Sequence, residues 1–342
     1  MKIATIGIDL GKSTFHLVGF DEEGRIVARK RCSRLQLIRF MVTLPPCHVG
    51  MEACSGAHLL GHQLSEQGHD VRLMPPQYVR PYVKSNKNDF IDAEAIAEAV
   101  QRPTMRFVPL KTVEQLDLQA FHRVRERLVT RRTAVINQIR AFLLERGLVL
   151  RQGRAYLARV LPGVLSEPTP VVSERMRVLL SGLWTEWKAL DVDISRTTRE
   201  IETLAMYDPA CQRLTGVPGV GPVIATALVA AVGNGAAFAK GRDFAAWLGL
   251  VPQQHSTGGK PRLLGISKRG NSYLRRLFVQ GARSILLHAD PARHAFGPWL
   301  TALRARVHHN VAVIALANKL ARIAWAVLGR QEPYRGIARA TI

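Results

Sequence analysis

Cysteines, long apolar runs and acidic residues are all scarce in this 342-residue chain, and each shortage excludes a class of protein. The spacing of the four cysteines fits neither a zinc site nor a dense disulfide framework, which is typical of a reducing cytosol. The longest apolar run, residues 223–239, is interrupted by Gly233 and Gly235 and is too short to cross a bilayer comfortably. We therefore expect a cytoplasmic protein with no membrane partner.

The shortage of acids leaves the chain with a large positive charge. Lysine and arginine together number 48, against 26 aspartates and glutamates, so the formal net charge is +22. Such a surplus on a folded protein is hard to explain without a polyanionic partner, and nucleic acid is the usual one because neutralised phosphates release counterions. A solvated basic surface, or a nucleic-acid binder without catalysis, stays open as an alternative.

The chain length predicts two or three domains, and the first of them, residues 1–110, has the pattern of an α/β fold. The predicted strands span residues 3–10, 14–20, 25–31, 49–52 and 70–74, and the predicted helices span residues 35–44 and 58–67. Three strands in a meander, followed by helix, strand, helix and strand, is the order of an RNase H-like domain. The fold class that we predict is therefore α/β plus α.

The middle segment, residues 111–207, is basic and has the pattern of two long helices. Apolar residues recur at steps of three and four over 121–142 and again over 176–204, which is a heptad seam. A hairpin within the chain or a dimerising coiled coil would satisfy these seams, with Pro162 and residues 168–170 in the connection. Packing of both stripes inside one domain is the alternative.

Four carboxylates in three separate stretches of the first domain are the candidate catalytic residues. Asp9 closes the first predicted strand, Glu52 closes the fourth, and Asp89 and Asp92 lie three residues apart at the start of a helix, where both face one side. Four acids brought to one place repel each other unless divalent cations neutralise them. Oxygen ligands suit Mg²⁺, and two ions about 4 Å apart would clamp both oxygens of a phosphodiester displacement.

Each acid also has a structural interpretation. Asp89 can serve as a helix N-cap, and Asp92 can be a first-turn acid that the helix dipole favours. Asp9 could instead belong to an actin-like ATPase, but that fold needs a later phosphate turn and a Gly-Gly adenosine motif, and neither stands in a convincing context. Glu52, in a buried strand, is otherwise unexplained because an unpaired buried carboxylate is costly.

Several long motifs now allow a comparison with a known family. In chain order they read IGIDLGKSTFHL, MEACSGAHLLG, KSNKNDFIDAEAIAEA, LTGVPGVGPVIATALVA and FAAWLGLVPQQHSTGGKPRLLGISKRGNSYLRRLF. Over nearly its whole length the chain resembles the DEDD transposases of the insertion sequence 110 family, and most closely the 1111 subgroup.

The resemblance implies a RuvC-like first domain that uses Asp9, Glu52, Asp89 and Asp92, a coiled-coil connector, and a second domain whose serine attacks DNA. It also implies a structured guide RNA from the same element, which pairs with donor and target DNA and so chooses the sites. The resemblance further implies homodimers that pair into a tetramer.

The segment 251–260 carries the candidate nucleophile, Ser256. Two glycines allow a phosphate to approach the backbone closely, and four nearby cations offset its charge; the cations are Lys260, Arg262, Lys268 and Arg269. A hydroxyl needs a base or a metal to become a good nucleophile, and the adjacent His255 is a weak candidate for that base. A gap-free match to other family members places the nucleophile on Thr257 instead, and a plain turn is the structural alternative.

The last predicted domain, residues 208–342, is mainly helical and begins with a segment that looks like a helix-hairpin-helix. Its Gly219 and Gly221 could present backbone N–H groups to a DNA phosphate, although a tight turn with no ligand is the alternative. In the middle domain Arg131 falls on the apolar seam, which suggests contact with RNA or DNA there, and a solvated charged face is the alternative. The remaining histidines are interpreted as surface or core residues, not ligands.

These observations favour a transposase that cuts and rejoins DNA through a magnesium site and a serine nucleophile. A purely hydrolytic RuvC-like nuclease or junction resolvase accounts for the acids but leaves the serine segment unused. A non-catalytic nucleic-acid-binding protein accounts only for the charge.

Overall fold

A computed structural model describes residues 2–84, 88–166, 171–290 and 296–335. The chain divides into two compact units, residues 1–112 and 113–342, and each is described by itself. The first predicted domain boundary, at 110, falls two residues before this division. The second, at 207, falls inside the second unit between two consecutive helices.

The described residues of the first unit form one five-stranded sheet and four α-helices. Its strands are β1 (Thr5–Leu10), β2 (Phe15–Phe20), β3 (Ile26–Cys32), β4 (His48–Glu52) and β5 (Asp70–Met74). Its helices are α1 (Arg34–Val42), α2 (Ala57–Glu66), α3 (Pro76–Val79), which continues into a 3₁₀ turn at Arg80–Tyr82, and α4 (Asp89–Val100). The predicted order of strands and helices is confirmed, with ends that shift by at most two residues.

The strands of this sheet lie in the order β3-β2-β1-β4-β5. The first three form an antiparallel meander, while β4 is parallel to β1 and β5 is parallel to β4. Because β1 and β4 are parallel neighbours, their carboxyl ends meet at one edge of the sheet. That edge receives the last residues of both strands, among them Asp9 and Glu52.

The two faces of the sheet are covered by different helices. Ile6 and Ile8 belong to a core cluster with Leu37 of α1 and Leu60 of α2. On the other face α4 lies so close to β1 that a Cβ atom added at Gly7 would stand 2.1 Å from the carbonyl oxygen of Ala93. The missing side chain at Gly7 therefore allows helix and strand backbones to touch, which sets the position of the whole helix.

The second unit is mainly helical. Its helices are α5 (Val113–Leu144), α6 (Arg154–Ser166), α7 (Glu174–Tyr207), α8 (Pro209–Thr215), α9 (Pro222–Val232), α10 (Gly241–Trp247), α11 (Ser272–His288), α12 (Gly297–Arg304) and α13 (His309–Arg330). Pro162, predicted to lie in a connection, instead lies inside α6. Residues 168–170, the other part of that predicted connection, lie outside the described residues.

The two heptad seams meet each other within one chain. Arg125 of α5 donates to Thr198 of α7 at 2.8 Å, and Arg132 pairs with Asp191 at 2.8 Å, so the helices run antiparallel. Trp187, 1% exposed, is among the seam residues that this pairing buries. The structure thus forms the hairpin alternative.

The prediction that Arg131 falls on the seam is wrong. Its side chain is 64% exposed and pairs with Glu186 at 2.8 Å, whereas the side chain of Arg132 is only 18% exposed. The long helix turns about 100° per residue, so a shift of one position moves a side chain off the buried stripe. The seam is therefore no longer an argument for nucleic acid at Arg131.

The C-terminal core is built around α13. Leu316 and Leu320 of this helix are fully buried in one cluster with Leu228 and Phe278. Among the described residues α13 is the one helix long and apolar enough to cross a membrane, yet half of its most apolar stretch is buried inside the unit. This packing accounts for its hydrophobicity, since the core helix of a folded domain can be equally long and apolar.

The predicted serine loop is a β-hairpin. Strands β6 (Pro252–Thr257) and β7 (Lys260–Ile266) pair antiparallel around a turn at Gly258 and Gly259, whose φ angles are +55° and +74°. Two consecutive residues with positive φ form the turn that suits the twist of paired strands, which explains the two glycines.

Candidate functional site: an acidic cleft and an exposed hydroxyl hairpin

A cleft of about 690 Å³ in the first unit is lined by all four predicted acids. Asp9 is the penultimate residue of β1, and Glu52 is the last residue of the neighbouring parallel strand β4. Asp89 is the first residue of α4, and Asp92 lies in its first turn. The edge of the sheet and the start of α4 therefore each contribute two carboxylates to the same cavity.

The local structure of α4 leaves both of its acids available to the cleft. The helix N-cap is Asn88, whose side-chain oxygen accepts a hydrogen bond from the backbone N–H of Phe90 at 2.9 Å. The structural alternative for Asp89, that it caps the helix, is therefore wrong. Asp89 and Asp92 are three residues apart, so their side chains lie on the same side of the helix.

The charges of the cleft act on one another. Burial, and then the negative charges of Asp9 and Asp92, raise the pKa of the Glu52 carboxyl above its ordinary value. Such a shift means that Glu52 lies close to both acids and that its ionised form is held at a cost. A bound cation would reverse the sign of this local field.

His16 belongs to the same cluster, and the sequence analysis missed it. Residues Asp9 and His16 are paired across β1 and β2, and the His16 Nδ1 lies 3.5 Å from the Asp89 Oδ2. The possible ligand atoms of Asp9, His16 and Asp89 all lie within 4.8 Å of one another. The antiparallel register across the short turn between the strands is the signal that could have found it. His16 is among the histidines that we interpret from the sequence as surface or core residues and not ligands, whereas its position allows it to be a ligand.

The donor set of the cleft fits a hard divalent cation. Carboxylate oxygens are the ligands that Mg²⁺ prefers, and an imidazole nitrogen at the edge of the group would suit Mn²⁺ as well. Lys12 and Arg80 line the same cavity. The cleft therefore combines acids that can hold cations with bases that can bind the oxygens of a phosphate.

Ser256 lies on the exposed hairpin of the second unit. Its hydroxyl accepts a hydrogen bond from the side-chain amide of Gln254 at 2.6 Å, and it is paired with Pro261 on the opposite strand. Since successive strand residues point to opposite faces, His255 lies on the other face, opposite Arg262. This geometry argues against His255 as the base for Ser256.

The other hydroxyl of the hairpin has different neighbours. Thr257 is paired with Lys260 and shares the face of His255 and Arg262. Lys268 and Arg269 are exposed just after β7. The hairpin therefore presents Ser256 on one face and Thr257, with two cations, on the other.

The predicted helix-hairpin-helix glycines lie between α8 and α9. Gly219 has a φ of +80°, and a Cβ atom there would lie 2.6 Å from Ile285 of α11, so this residue serves close packing. Gly221 is the N-cap of α9, and an added Cβ would meet nothing within 4 Å. Of the two glycines, Gly221 is the one whose surroundings leave room for a ligand.

Comparison with known proteins finds transposases along nearly the whole chain. Residues 6–146 match a family model of DEDD type described as "Transposase", and residues 211–297 match one described as "Transposase IS116/IS110/IS902 family". A probable family 20 transposase of Pseudomonas aeruginosa is 47% identical over 98% of this chain and 99% of its own length. The transposase for insertion sequence element IS1328 of Yersinia enterocolitica is 45% identical over 95% and 97%, and that for IS1111A of Coxiella burnetii is 44% identical over 97% and 92%.

Proposed function

The chain belongs to the IS110 family of insertion-sequence transposases, enzymes that cleave and rejoin DNA, and from this premise we propose how its residues carry out that reaction. We propose that the first unit is an RNase H-like, RuvC-like domain in which Asp9, Glu52, Asp89 and Asp92 hold Mg²⁺. The complete site would hold two ions. The observation that carries this proposal is the convergence of the four acids on one cleft.

When bound, the metal would polarise the phosphodiester and offset charge in the transition state. The residues of the chain bind and orient. The four carboxylates hold the cation, and Lys12 and Arg80 attract the DNA phosphate into the cleft. The raised pKa of Glu52 supports the proposal, because a carboxylate that is costly to ionise alone gains most from a cation.

Ser256 is the proposed nucleophile. Its hydroxyl oxygen forms a bond to phosphorus, the bond from phosphorus to one bridging DNA oxygen breaks, and the released oxygen takes up a proton. Attack by the hydroxyl end of another strand on this phosphoserine then restores the serine and joins the DNA. Exposure of Ser256 on the hairpin supports this role, and Thr257 is the alternative.

The remaining parts of the proposal concern the partners. Backbone N–H groups near Gly221, with Gly219 shaping the turn, bind a DNA phosphate as a helix-hairpin-helix does. A structured guide RNA selects donor and target DNA, and the protein works in the cytoplasm, at the nucleoid, as a homodimer that can pair into a tetramer. The proposal includes three domains: a catalytic domain (1–110), a coiled-coil connector (111–207) and a C-terminal domain (208–342).

A covalent adduct is the direct test. Full-length protein with its guide RNA, DNA and Mg²⁺ is expected to give a protein–DNA adduct that survives denaturation and disappears in Ser256→Ala but persists in Thr257→Val. Loss of the adduct in Thr257→Val alone would assign the nucleophile to Thr257. Full DNA cleavage by Ser256→Ala, with no adduct in any variant, would make the protein a hydrolytic nuclease.

The acids are tested by matched substitutions. Asp9→Asn, Glu52→Gln and Asp92→Asn are each expected to abolish strand transfer and leave nucleic-acid binding largely intact, because each replaces a charged cation ligand with a neutral amide of nearly the same shape. Glu22→Gln, an exposed acid 70% accessible on a turn, is the control and should recombine normally. Normal recombination by the folded cleft variants would leave only a non-catalytic nucleic-acid-binding function.

A further inference from the structure

A second cleft, in the helical unit, combines tryptophans with cations. It has a volume of about 550 Å³ and lies between α10, α12 and α13. Its lining includes Trp299, Trp325, Lys319, Arg322 and Asn318, and none of the described residues that line it is acidic. We propose that this cleft binds an unpaired segment of a nucleic-acid strand, whose base stacks on the indoles while its phosphates pair with Lys319 and Arg322.

One of the two indoles of the cleft is held by a hydrogen bond. The indole N–H of Trp325 donates to the carbonyl oxygen of Gly235 at 3.2 Å, so the polar edge of this ring is satisfied inside the protein. Both Trp299 and Trp325 are only half-buried, which leaves part of each ring accessible. A held, partly exposed indole is a stacking platform for a nucleobase, and each stacked base contributes about 1–3 kcal/mol in such sites.

Two cationic side chains lie beside the indoles, where the phosphates of a stacked nucleotide would bind. The Lys319 ammonium lies over the Trp299 ring, 4.3 Å from its centroid, and Arg322 is exposed one helical turn further along α13. An ammonium over a ring can exchange that contact for a phosphate by rotation of a flexible side chain. Asn318 donates to the carbonyl oxygen of Leu250 at 3.2 Å, which orients its amide at the rim.

The choice of a nucleic-acid strand over a peptide follows from charge and volume. A chain of formal charge +22 attracts polyanions, and this cleft has two cations and no acid among the described residues that line it. The volume suits one or two nucleotides and is too small for a duplex. The inference goes beyond the acidic cleft of the first unit and does not depend on it, because binding without metal tests it.

The test is binding of a labelled oligothymidine of roughly a dozen nucleotides to the full-length protein in the presence of EDTA. Trp299→Ala is expected to weaken binding about tenfold, and Trp299→Phe to retain most of it, because the phenyl ring still stacks. An abasic oligonucleotide with the same phosphates should bind wild type more weakly and should not distinguish wild type from Trp299→Ala.

The chain offers a matched control for the tryptophan. Trp184 of α7 is also half-buried and also lies under a lysine, with the Lys188 ammonium 5.3 Å from its ring centroid, but it is outside the cleft. Trp184→Ala is expected to leave oligothymidine binding within about twofold of wild type. Equal losses in Trp184→Ala and Trp299→Ala would overturn the proposal, as would unchanged binding in Trp299→Ala.

An exposed substitution keeps the test valid if the tryptophan variant fails to fold. Arg322→Glu alters a solvent-exposed residue of α13, and Arg330→Glu makes the same change at an exposed position beyond the cleft. Arg322→Glu is expected to weaken oligothymidine binding at least tenfold more than Arg330→Glu does. Equal effects of the two changes would mean that only general surface charge binds the strand, which would refute the proposal.

Discussion

Acid is expected to destabilise the second unit through one buried histidine. His122 of α5 is 4% exposed, and its Nε2 and Nδ1 lie 2.9 Å from the hydroxyls of Thr226 and Tyr273. The Thr226 hydroxyl donates to the carbonyl oxygen of Pro222, so it accepts from the Nε2–H, which leaves Nδ1 to accept from Tyr273. This pattern fits a neutral imidazole; protonation would make Nδ1 a second donor, and the Tyr273 hydroxyl would then have to turn and accept.

The magnitude follows from the pKa shift. Burial, and then the positive charge of Arg125, lower the pKa of His122 from 6.5 to about 4. Between these two values the unfolded chain binds a proton that the folded unit refuses, so stability falls as pH falls. The stabilisation is complete above pH 6.5; about 2 kcal/mol is lost by pH 5 and about 3 kcal/mol by pH 4.

Tryptophan fluorescence is the assay, because all five tryptophans lie within residues 113–342 and report on the second unit alone. Urea unfolding of wild type and His122→Gln would be compared at pH 7.5 and pH 5. The loss of stability between these conditions should be about 2 kcal/mol smaller in His122→Gln, and unchanged in His309→Gln, an exposed control. An equal pH dependence in wild type and His122→Gln would refute the reasoning.

Three further substitutions are expected to change stability through charge or packing. Glu52→Gln is expected to stabilise the metal-free first unit by less than about 1 kcal/mol, since it removes one of several neighbouring carboxylates in an open, solvent-screened cleft; a lower melting temperature in calorimetry would contradict this. Gly281→Ala should destabilise the second unit by about 1–3 kcal/mol, because its Cβ would lie 2.2 Å from the Gly219 carbonyl oxygen. Gly182→Ala, at an open position inside α7, should instead stabilise it by about 0.5–1 kcal/mol, and equal urea midpoints for the two variants would count against the packing argument.

The acids could be predicted from the sequence because each ends or begins a well-patterned element. Asp9 and Glu52 follow apolar strand residues that the sheet buries, and Asp89 and Asp92 begin a helix with a clear start. Strand order then brings the ends together. The neighbour His16 could not be found in the same way, because its place opposite Asp9 depends on the register of the hairpin.

The hairpin of the second unit escaped prediction for a different reason. Every residue of β6 is exposed, and β7 is exposed except at its last position, so neither strand has the alternation of apolar and polar residues that marks a half-buried strand. The Ser-Thr-Gly-Gly segment predicts a turn, and its two glycines do form one. Pairing of two polar strands around that turn is a tertiary property that periodicity does not report.

The long helices show the limit of seam arguments. The stripe over 176–204 matches the buried face of α7 closely, yet the stripe of α5 passes through a stretch of arginines near its middle. Arg131 and Arg132 both pair with acids of α7, yet only the side chain of Arg132 is largely buried. No apolar pattern could reveal which of the two turns inward.

The contact at Gly7 has a consequence for how the acidic cleft could evolve. At Gly7 only a hydrogen atom separates the backbones of β1 and α4; β1 carries Asp9, and α4 carries Asp89 and Asp92. The distance across the cavity is therefore governed from a position that never touches a ligand. A bulkier residue at position 7, matched by smaller neighbours along α4, would widen the gap between Asp9 and the two carboxylates of α4 and shift the preference toward larger cations such as Ca²⁺.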